Sequence, residues 1–368
     1  MNTRSANPTS AASGSEKPGL HITDWFKSWG SILTGSTPMI SIEITRECPL
    51  SCPGCYAYGD AHLGGGLTLR SLSDYRGDEL VNGILRVVDE HRPLHVSLVG
   101  GEPLIRHREL SRLLPMLSER NIHTMIVTSA VIPIPREWMK IPRVRVTVSV
   151  DGLPEHHDVR RKPATYERIL KNMSGCRVNV HWTITRPMLE RPGYIEEYLA
   201  FWSARPEVVR IWISLYTPQK GERTPEILTP ADRRFVTGEL LRAKTYHPKL
   251  LMDRRLATAI IKPPANPGEC MFARMSTNYS ADLNTRVEPC IFGGDPDCSQ
   301  CGCAISSGLH AVKEFRLAHV LKVEDIALTS AAIGGFVARF RGRNHPRWKK
   351  RPAELVQIAP GKQERKAS

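Results

Sequence analysis

Cys48, Cys52 and Cys55 stand at the spacing CxxxCxxC within Cys48-Pro49-Leu50-Ser51-Cys52-Pro53-Gly54-Cys55. Two prolines and a glycine make this stretch a loop, and such a loop can wrap three thiolates around one point. Three thiolates are an incomplete set for structural zinc, which takes four ligands, whereas a reactive metal site keeps a position open. Thiolate clusters serve zinc, or iron with sulfide. An iron–sulfur cube on three cysteines leaves one iron free to bind something else. Immediately upstream, residues 39–44 alternate β-branched residues with smaller or polar ones, as a short buried strand does. The cysteines therefore leave the end of a strand.

From Ile44-Thr45-Arg46-Glu47-Cys48 through Cys55-Tyr56, the stretch resembles the cluster-binding loop of the radical S-adenosylmethionine (SAM) enzymes. About one βα unit later, Val96-Ser97-Leu98-Val99-Gly100-Gly101-Glu102-Pro103 resembles the GGEP motif of that family. The resemblance covers residues 37–265. It implies a 4Fe–4S cluster on Cys48, Cys52 and Cys55, with SAM chelating the open iron. It also implies reductive cleavage of SAM to methionine and a 5′-deoxyadenosyl radical, which takes a hydrogen atom from substrate. A small reductant of the flavodoxin or ferredoxin type is implied as partner.

The same resemblance suggests roles around the cofactor. Glu102 would accept from the SAM ammonium, and Gly100, Gly101 and Pro103 would shape its approach, the glycines having no Cβ. Thr128 and Ser129 would face the SAM carboxylate or ribose. Ser149-Val150-Asp151-Gly152, with His156-His157-Asp158 and Arg160 after it, resembles a family stretch in which Ser149 and Asp151 bond the ribose and Arg160 holds the methionine carboxylate. Ordinary strand-end turns and caps remain the alternative reading of these residues. Thr183 and Thr185 are further candidates on a fifth strand. Many members of the family place an aromatic just before the last cluster cysteine; here that residue is Gly54, with Tyr56 beyond it. The adenine-stacking partner is left open.

The elements that must position these residues alternate in type. Strands are expected over 39–44, 95–99, 123–128, 144–150, 178–185 and 208–215. Helices are expected over 69–90, 106–120, 165–173, 195–204 and 230–241, with a loop over 217–230. Six βα-like units require parallel pairing, because parallel strands need crossover connections. The fold class is α/β, and the resemblance narrows it to a partial (β/α)6 TIM-type barrel. In such barrels the chemistry lies at the C-terminal ends of the strands.

Composition changes after residue 265. Cys270, Cys290, Cys298, Cys301 and Cys303 fall between residues 266 and 310. The run Cys298-Ser299-Gln300-Cys301-Gly302-Cys303 is too tight for regular structure and suits a metal loop. The arrangement resembles the SPASM or twitch auxiliary-cluster segment that follows some radical SAM cores. Asp282 through Cys290 is similar to its opening hairpin, although the hairpin glycine is replaced around Asn284-Thr285 and the full cysteine pattern is not followed. One second 4Fe–4S cluster is expected, on Cys270, Cys290, Cys298 and Cys301, with Cys303 able to substitute for any of them; a structural zinc knot is the alternative. A cysteine-rich C-terminal stretch also occurs in hopanoid-type members. Cys176, alone before a strand, reads as a packed thiol.

The chain has 368 residues and a formal net charge of +14. Residues 1–20 are expected to form a disordered tail without the apolar core of a secretion signal. Residues 21–36, with Trp25, Trp29 and Ile32 on one face, read as an amphipathic helix. The core spans 37–265, the auxiliary segment 266–310, a helical region 311–335 and a basic tail 336–368. Residues 334–368 hold ten Lys or Arg against two Glu. Such a tail suits solvent or an anionic membrane face better than nucleic acid. No run of apolar residues is long enough to span a bilayer. Clustered cysteines without a signal peptide point to reduced, metal-binding thiols in the cytoplasm. Three readings follow. The first is a radical SAM enzyme acting on a peptide or protein, the second one acting on a lipid or isoprenoid. The third, from another class, is a zinc-stabilised binding protein.

Overall fold

In the computed structural model, residues 30, 32–35, 37–163, 165–313, 316–317 and 321–340 are described. The expected helix over 21–36 lies largely outside them, and so does the basic tail from residue 341 onward. Among the described residues no helix is long and apolar enough to cross a membrane.

Seven parallel strands form one open sheet. They are β1 (Met39–Glu43), β2 (His95–Val99), β3 (His123–Thr128), β4 (Val144–Ser149), β5 (Val178–Ile184), β6 (Val208–Leu215) and β7 (Ser276–Tyr279), in the order β6-β5-β4-β3-β2-β1-β7. Helices α1 (Gly77–His91), α2 (His107–Glu119), α3 (Pro154–Arg160), α4 (Tyr166–Met173), α5 (Tyr194–Ser203) and α6 (Pro230–Ala243) join or follow the first six strands. The remaining helices are α7 (Arg254–Ile261), α8 (Met271–Met275), α9 (Ala304–Lys313) and α10 (Val323–Phe340). A short antiparallel pair, β8 (Arg316–Leu317) and β9 (Leu321–Lys322), precedes α10.

Strand alternation separates two faces. Ile40, Ile42, Val96, Leu98, Ile126, Val146, Val148, Val180, Trp182, Ile211 and Ile213 share one buried core with Leu80, Ile84, Leu110 and Leu113 of α1 and α2. The other face is polar. The register pairs Ser41 with Ser97 and Asn278, Ser149 with His181, His181 with Trp212, and Thr183 with Ser214. Parallel sheets usually bury apolar residues on both faces. A polar inner face marks this one as lining a site.

The expected strands stand, and the structure makes three corrections to the elements, one being that the helical region expected over 311–335 is interrupted by the β8–β9 pair. The helix expected over 69–90 begins only at Gly77, after a separate 3-10 turn at Leu69–Ser71. There the Asp74 carboxylate accepts from Thr45 Oγ1 (2.7 Å) and Arg46 N–H (3.2 Å), which commits the chain to the β1 loop rather than to a helix. The seventh strand was not expected. It comes from the cysteine-rich segment and pairs with β1, so that segment is built into the sheet.

Candidate functional site

The cysteine loop follows β1 and is fastened at several points. Ile44 N–H donates to Val99 O (2.9 Å), Gly101 N–H to Thr45 O (2.9 Å) and Glu102 N–H to Glu47 O (2.9 Å). The Gly100-Gly101 turn is thus laid directly on the start of the loop. A Cβ on Gly101 would stand 2.1 Å from Glu47 O, and Gly100 has φ +127° with Thr45 O 2.9 Å from its Cβ position. Both positions require glycine. Arg106, buried, donates to Glu47 (3.2 Å) and Asp74 (3.0 Å) and so locks the two segments together. On the far side Ser51 N–H donates to Lys162 O (2.7 Å).

Cys48, Cys52 and Cys55 are partly buried free thiols. Burial, chiefly, raises Cys48 to about 11, with Glu102, Cys52 and Cys55 adding to it, and burial also raises Cys52, with Cys55 and Asp151 adding to it. Any metal must displace their protons. Arg161 and Arg160 carry positive charge toward Cys52. The three thiols and nearby cations fit an anionic cluster with one open position.

Glu102 is almost wholly buried and fully engaged. Oε1 accepts from Leu104 N–H (3.0 Å) and Thr128 Oγ1 (2.5 Å); Oε2 accepts from Ser129 N–H (2.9 Å) and Ser129 Oγ (2.5 Å). Thr128 and Ser129 therefore meet Glu102. Pro103 opens the 3-10 turn Pro103–Arg106 that Glu102 caps.

At the end of β4, Asp151 Oδ2 accepts from Arg160 Nε (3.2 Å) and Arg161 Nε (2.8 Å), while Oδ1 is buried without a partner. Burial favours the neutral carboxyl, but Arg161 and Arg160 outweigh it and hold Asp151 below the usual carboxylate range. Its N–H donates to His157 Nδ1 (3.0 Å), and burial lowers His157 to about 4. Arg160 also pairs with Glu226, on the loop before α6. Ser149 is buried opposite His181. Thr183 is on the polar face, and Thr185 is buried one residue beyond β5.

Tyr56 packs against Phe292 (ring centroids 5.5 Å apart) and His62 (5.6 Å). Its neighbours thus include the second cysteine segment. The space beside Gly54 is bordered by Glu226 and Tyr216.

The second cysteine group sits near the end of β6. Leu215 N–H donates to Gly302 O (2.9 Å), Gly302 N–H to Thr217 Oγ1 (2.9 Å) and Ala304 N–H to Ser214 Oγ (3.0 Å). A Cβ on Gly302 would lie 2.2 Å from Leu215 O. Cys270, Cys290, Cys298, Cys301 and Cys303 line one cavity of about 400 Å³, its open mouth included. Every pair among Cys270, Cys290, Cys298 and Cys301 is close enough for one thiolate to oppose ionisation of the other, whereas Cys303 feels only Cys301 and Cys290 of these. Burial raises Cys290 to about 12 and Cys298 to about 11. Cys270 Sγ accepts from Ala273 N–H (3.4 Å) and lies 3.2 Å from Ser306 Oγ. Four thiols around one cavity, with donors aimed at a sulfur, suit an iron–sulfur group. Among the described residues no three His, Cys, Asp or Glu side chains close tightly enough to hold a single metal ion. The hairpin expected before Cys290 is present, with Tyr279 bridged to Arg286, and the positive φ falls on Leu283.

The motifs did not point to Glu43, His62, Arg161, Glu226 or Arg233. Only Glu43 left a signal, as an acidic residue in an otherwise buried strand. Its carboxylate accepts from His62 Nε2 (2.7 Å) and Ser280 Oγ (2.6 Å), and His62 Nδ1 donates to Phe292 O (2.9 Å). This buried bridge ties the first cysteine loop to the segment that follows Cys290.

Residues 42–191 match the family model of the radical SAM superfamily. Among solved structures, Streptococcus suis SuiB bound to precursor peptide SuiA is similar at 16% identity, over 92% of this chain and 75% of that one, with TM-score 0.53. Streptococcus suis SuiB by itself is similar at 18% identity, over 67% of this chain and 59% of that one, with TM-score 0.50. Native anSMEcpe with bound AdoMet is similar at 14% identity, over 83% of this chain and 98% of that one, with TM-score 0.48. No curated protein matches. Over residues 42–191 the chain is thus similar to the radical SAM enzymes, a superfamily that binds SAM and a 4Fe–4S cluster and needs a reductant.

Proposed function

We propose that the radical SAM domain works with a second, auxiliary 4Fe–4S cluster to modify a peptide or protein substrate. Cys48, Cys52 and Cys55 would hold the first cluster. When bound, SAM and this cluster would supply radical chemistry to the substrate. The chain's own residues position the cofactor and exclude water. Gly100 and Gly101 let backbone approach the cysteine loop. Glu102 offers a carboxylate for the SAM ammonium, held in place by Thr128 and Ser129. Asp151, with one oxygen unpartnered, and Ser149 offer acceptors to the ribose. Arg160 and Arg161 place positive charge toward Cys52, and Arg160 would hold the methionine carboxylate.

Cys270, Cys290, Cys298 and Cys301 would hold the auxiliary cluster, with Cys303 as reserve. The observation that carries this reading is the convergence of both cysteine groups at one end of the sheet, joined by the His62–Glu43 bridge. The peptide class is supported by the cysteine segment's hairpin and its incorporation into the sheet through β7. It is also consistent with SuiB, a fold relative that binds a precursor peptide. Of the features that suited a lipid, Gly54 lies among the described residues, while most of the N-terminal helix and the tail from residue 341 lie outside them.

The test is anaerobic reconstitution with iron and sulfide, addition of SAM and dithionite, and detection of 5′-deoxyadenosine. The account expects SAM cleavage, lost in Cys52→Ala and kept in Cys298→Ala. Cleavage retained by Cys52→Ala would contradict it.

A further inference from the structure

Arg233 is a buried cation whose partners are all neutral. It sits in the second turn of α6, a helix that Thr229 and Asp232 start with a reciprocal cap. Its side chain crosses to the second cysteine loop. Nη1 donates to Gln300 O (2.9 Å), and Nη2 to Cys301 O (2.6 Å) and to Ile260 O (2.6 Å) near the C-terminus of α7. Nε is buried without a partner. The residue is only 5% exposed. Among the described residues no carboxylate lies within ion-pair distance of it. Burial lowers its pKa, against the pull of Cys301 and Asp297.

A buried guanidinium without an anion is expensive, and proteins retain one where an anion belongs beside it. Carbonyl dipoles offset part of that cost. The anionic groups within electrostatic reach are Asp297, which makes no ion pair with it, and Cys301 with whatever its sulfur ligates. A cluster on four thiolates is anionic, and taking up one electron makes it more so. A fixed positive charge alongside therefore favours the reduced form and raises the reduction potential.

We propose that Arg233 is the counter-charge and positioning residue of the auxiliary cluster. It anchors the 300–301 backbone through two carbonyls and sets how readily the cluster accepts an electron. The inference rests on the auxiliary-cluster reading above.

The experiment is an EPR-monitored redox titration of reconstituted holoenzyme, wild type against Arg233→Gln and Arg233→Lys, with iron content measured in parallel. The auxiliary signal is the one that SAM does not perturb. The expected result is a more negative midpoint potential in Arg233→Gln, with Arg233→Lys closer to wild type because it keeps the charge. An unmoved potential in Arg233→Gln overturns the proposal, as does a Lys variant displaced as far as the Gln variant. If Arg233→Gln loses the auxiliary iron altogether, the Lys variant decides: a retained cluster near the wild-type potential supports the counter-charge, and loss overturns it. A wild-type chain with only one cluster overturns the auxiliary reading itself, and the proposal with it.

Discussion

Ser129 reaches Glu102 twice, through its backbone N–H (2.9 Å) and its hydroxyl (2.5 Å), both on the same carboxylate oxygen. The end of β3 thereby fixes the carboxylate that follows β2. In the proposed SAM site Glu102 would meet the ammonium already oriented, because Thr128 and Leu104 hold its other oxygen.

Replacing Glu102 by Gln tests that arrangement. One oxygen becomes an NH2 facing donors, which costs about 1–3 kcal/mol of buried hydrogen bonding. SAM affinity, measured by equilibrium dialysis on reconstituted protein, is expected to fall roughly 10- to 100-fold. Iron content at the first cluster is expected to hold. Unchanged affinity would remove Glu102 from the SAM site.

Gly101→Ala places a methyl group 2.1 Å from Glu47 O. Backbone must move, and overpacking of this kind costs about 1–3 kcal/mol. A lower melting temperature and loss of SAM cleavage are expected together. Wild-type values for both would show that the turn is not seated on the cysteine loop.

The His62–Glu43 bridge predicts a pH dependence. Both ring nitrogens of His62 face acceptors, the Glu43 carboxylate and the Phe292 carbonyl, which requires an imidazolium. Burial lowers the His62 pKa, but the hydrogen bond and charge of Glu43 raise it above its ordinary value. The stabilisation is therefore complete below the unfolded pKa of about 6.5 and fades as pH rises through the higher folded value. The melting temperature of the wild type should fall across that window, and that of His62→Gln should fall less. His62→Ala should cost about 3 kcal/mol. Identical pH profiles for wild type and His62→Gln would dismiss the bridge.

Much of this was legible in the sequence, because local chemistry wrote it there. Cys48, Cys52 and Cys55 betray themselves by spacing, Gly100 and Gly101 by the lack of a Cβ at a strand end, and β1 to β6 by alternation. What was hidden depends on long-range geometry. The four residues of β7 carry three polar side chains, and only pairing with β1 makes them a strand. His62 meets Phe292 across 230 positions of chain. Arg161 resembled any basic residue after a helix until Asp151 and Cys52 were found beside it. Thr128 and Ser129 were placed at the right strand end, but the hydrogen bonds they make to Glu102 could not be read from their own positions.

The central claim is two cysteine groups, each holding a cluster, at one end of one sheet. Iron and acid-labile sulfide per chain, on protein reconstituted without oxygen, test it most directly. The account predicts about eight of each, two 4Fe–4S clusters. About four of each would contradict the auxiliary cluster, and zinc in place of iron would contradict the radical chemistry altogether.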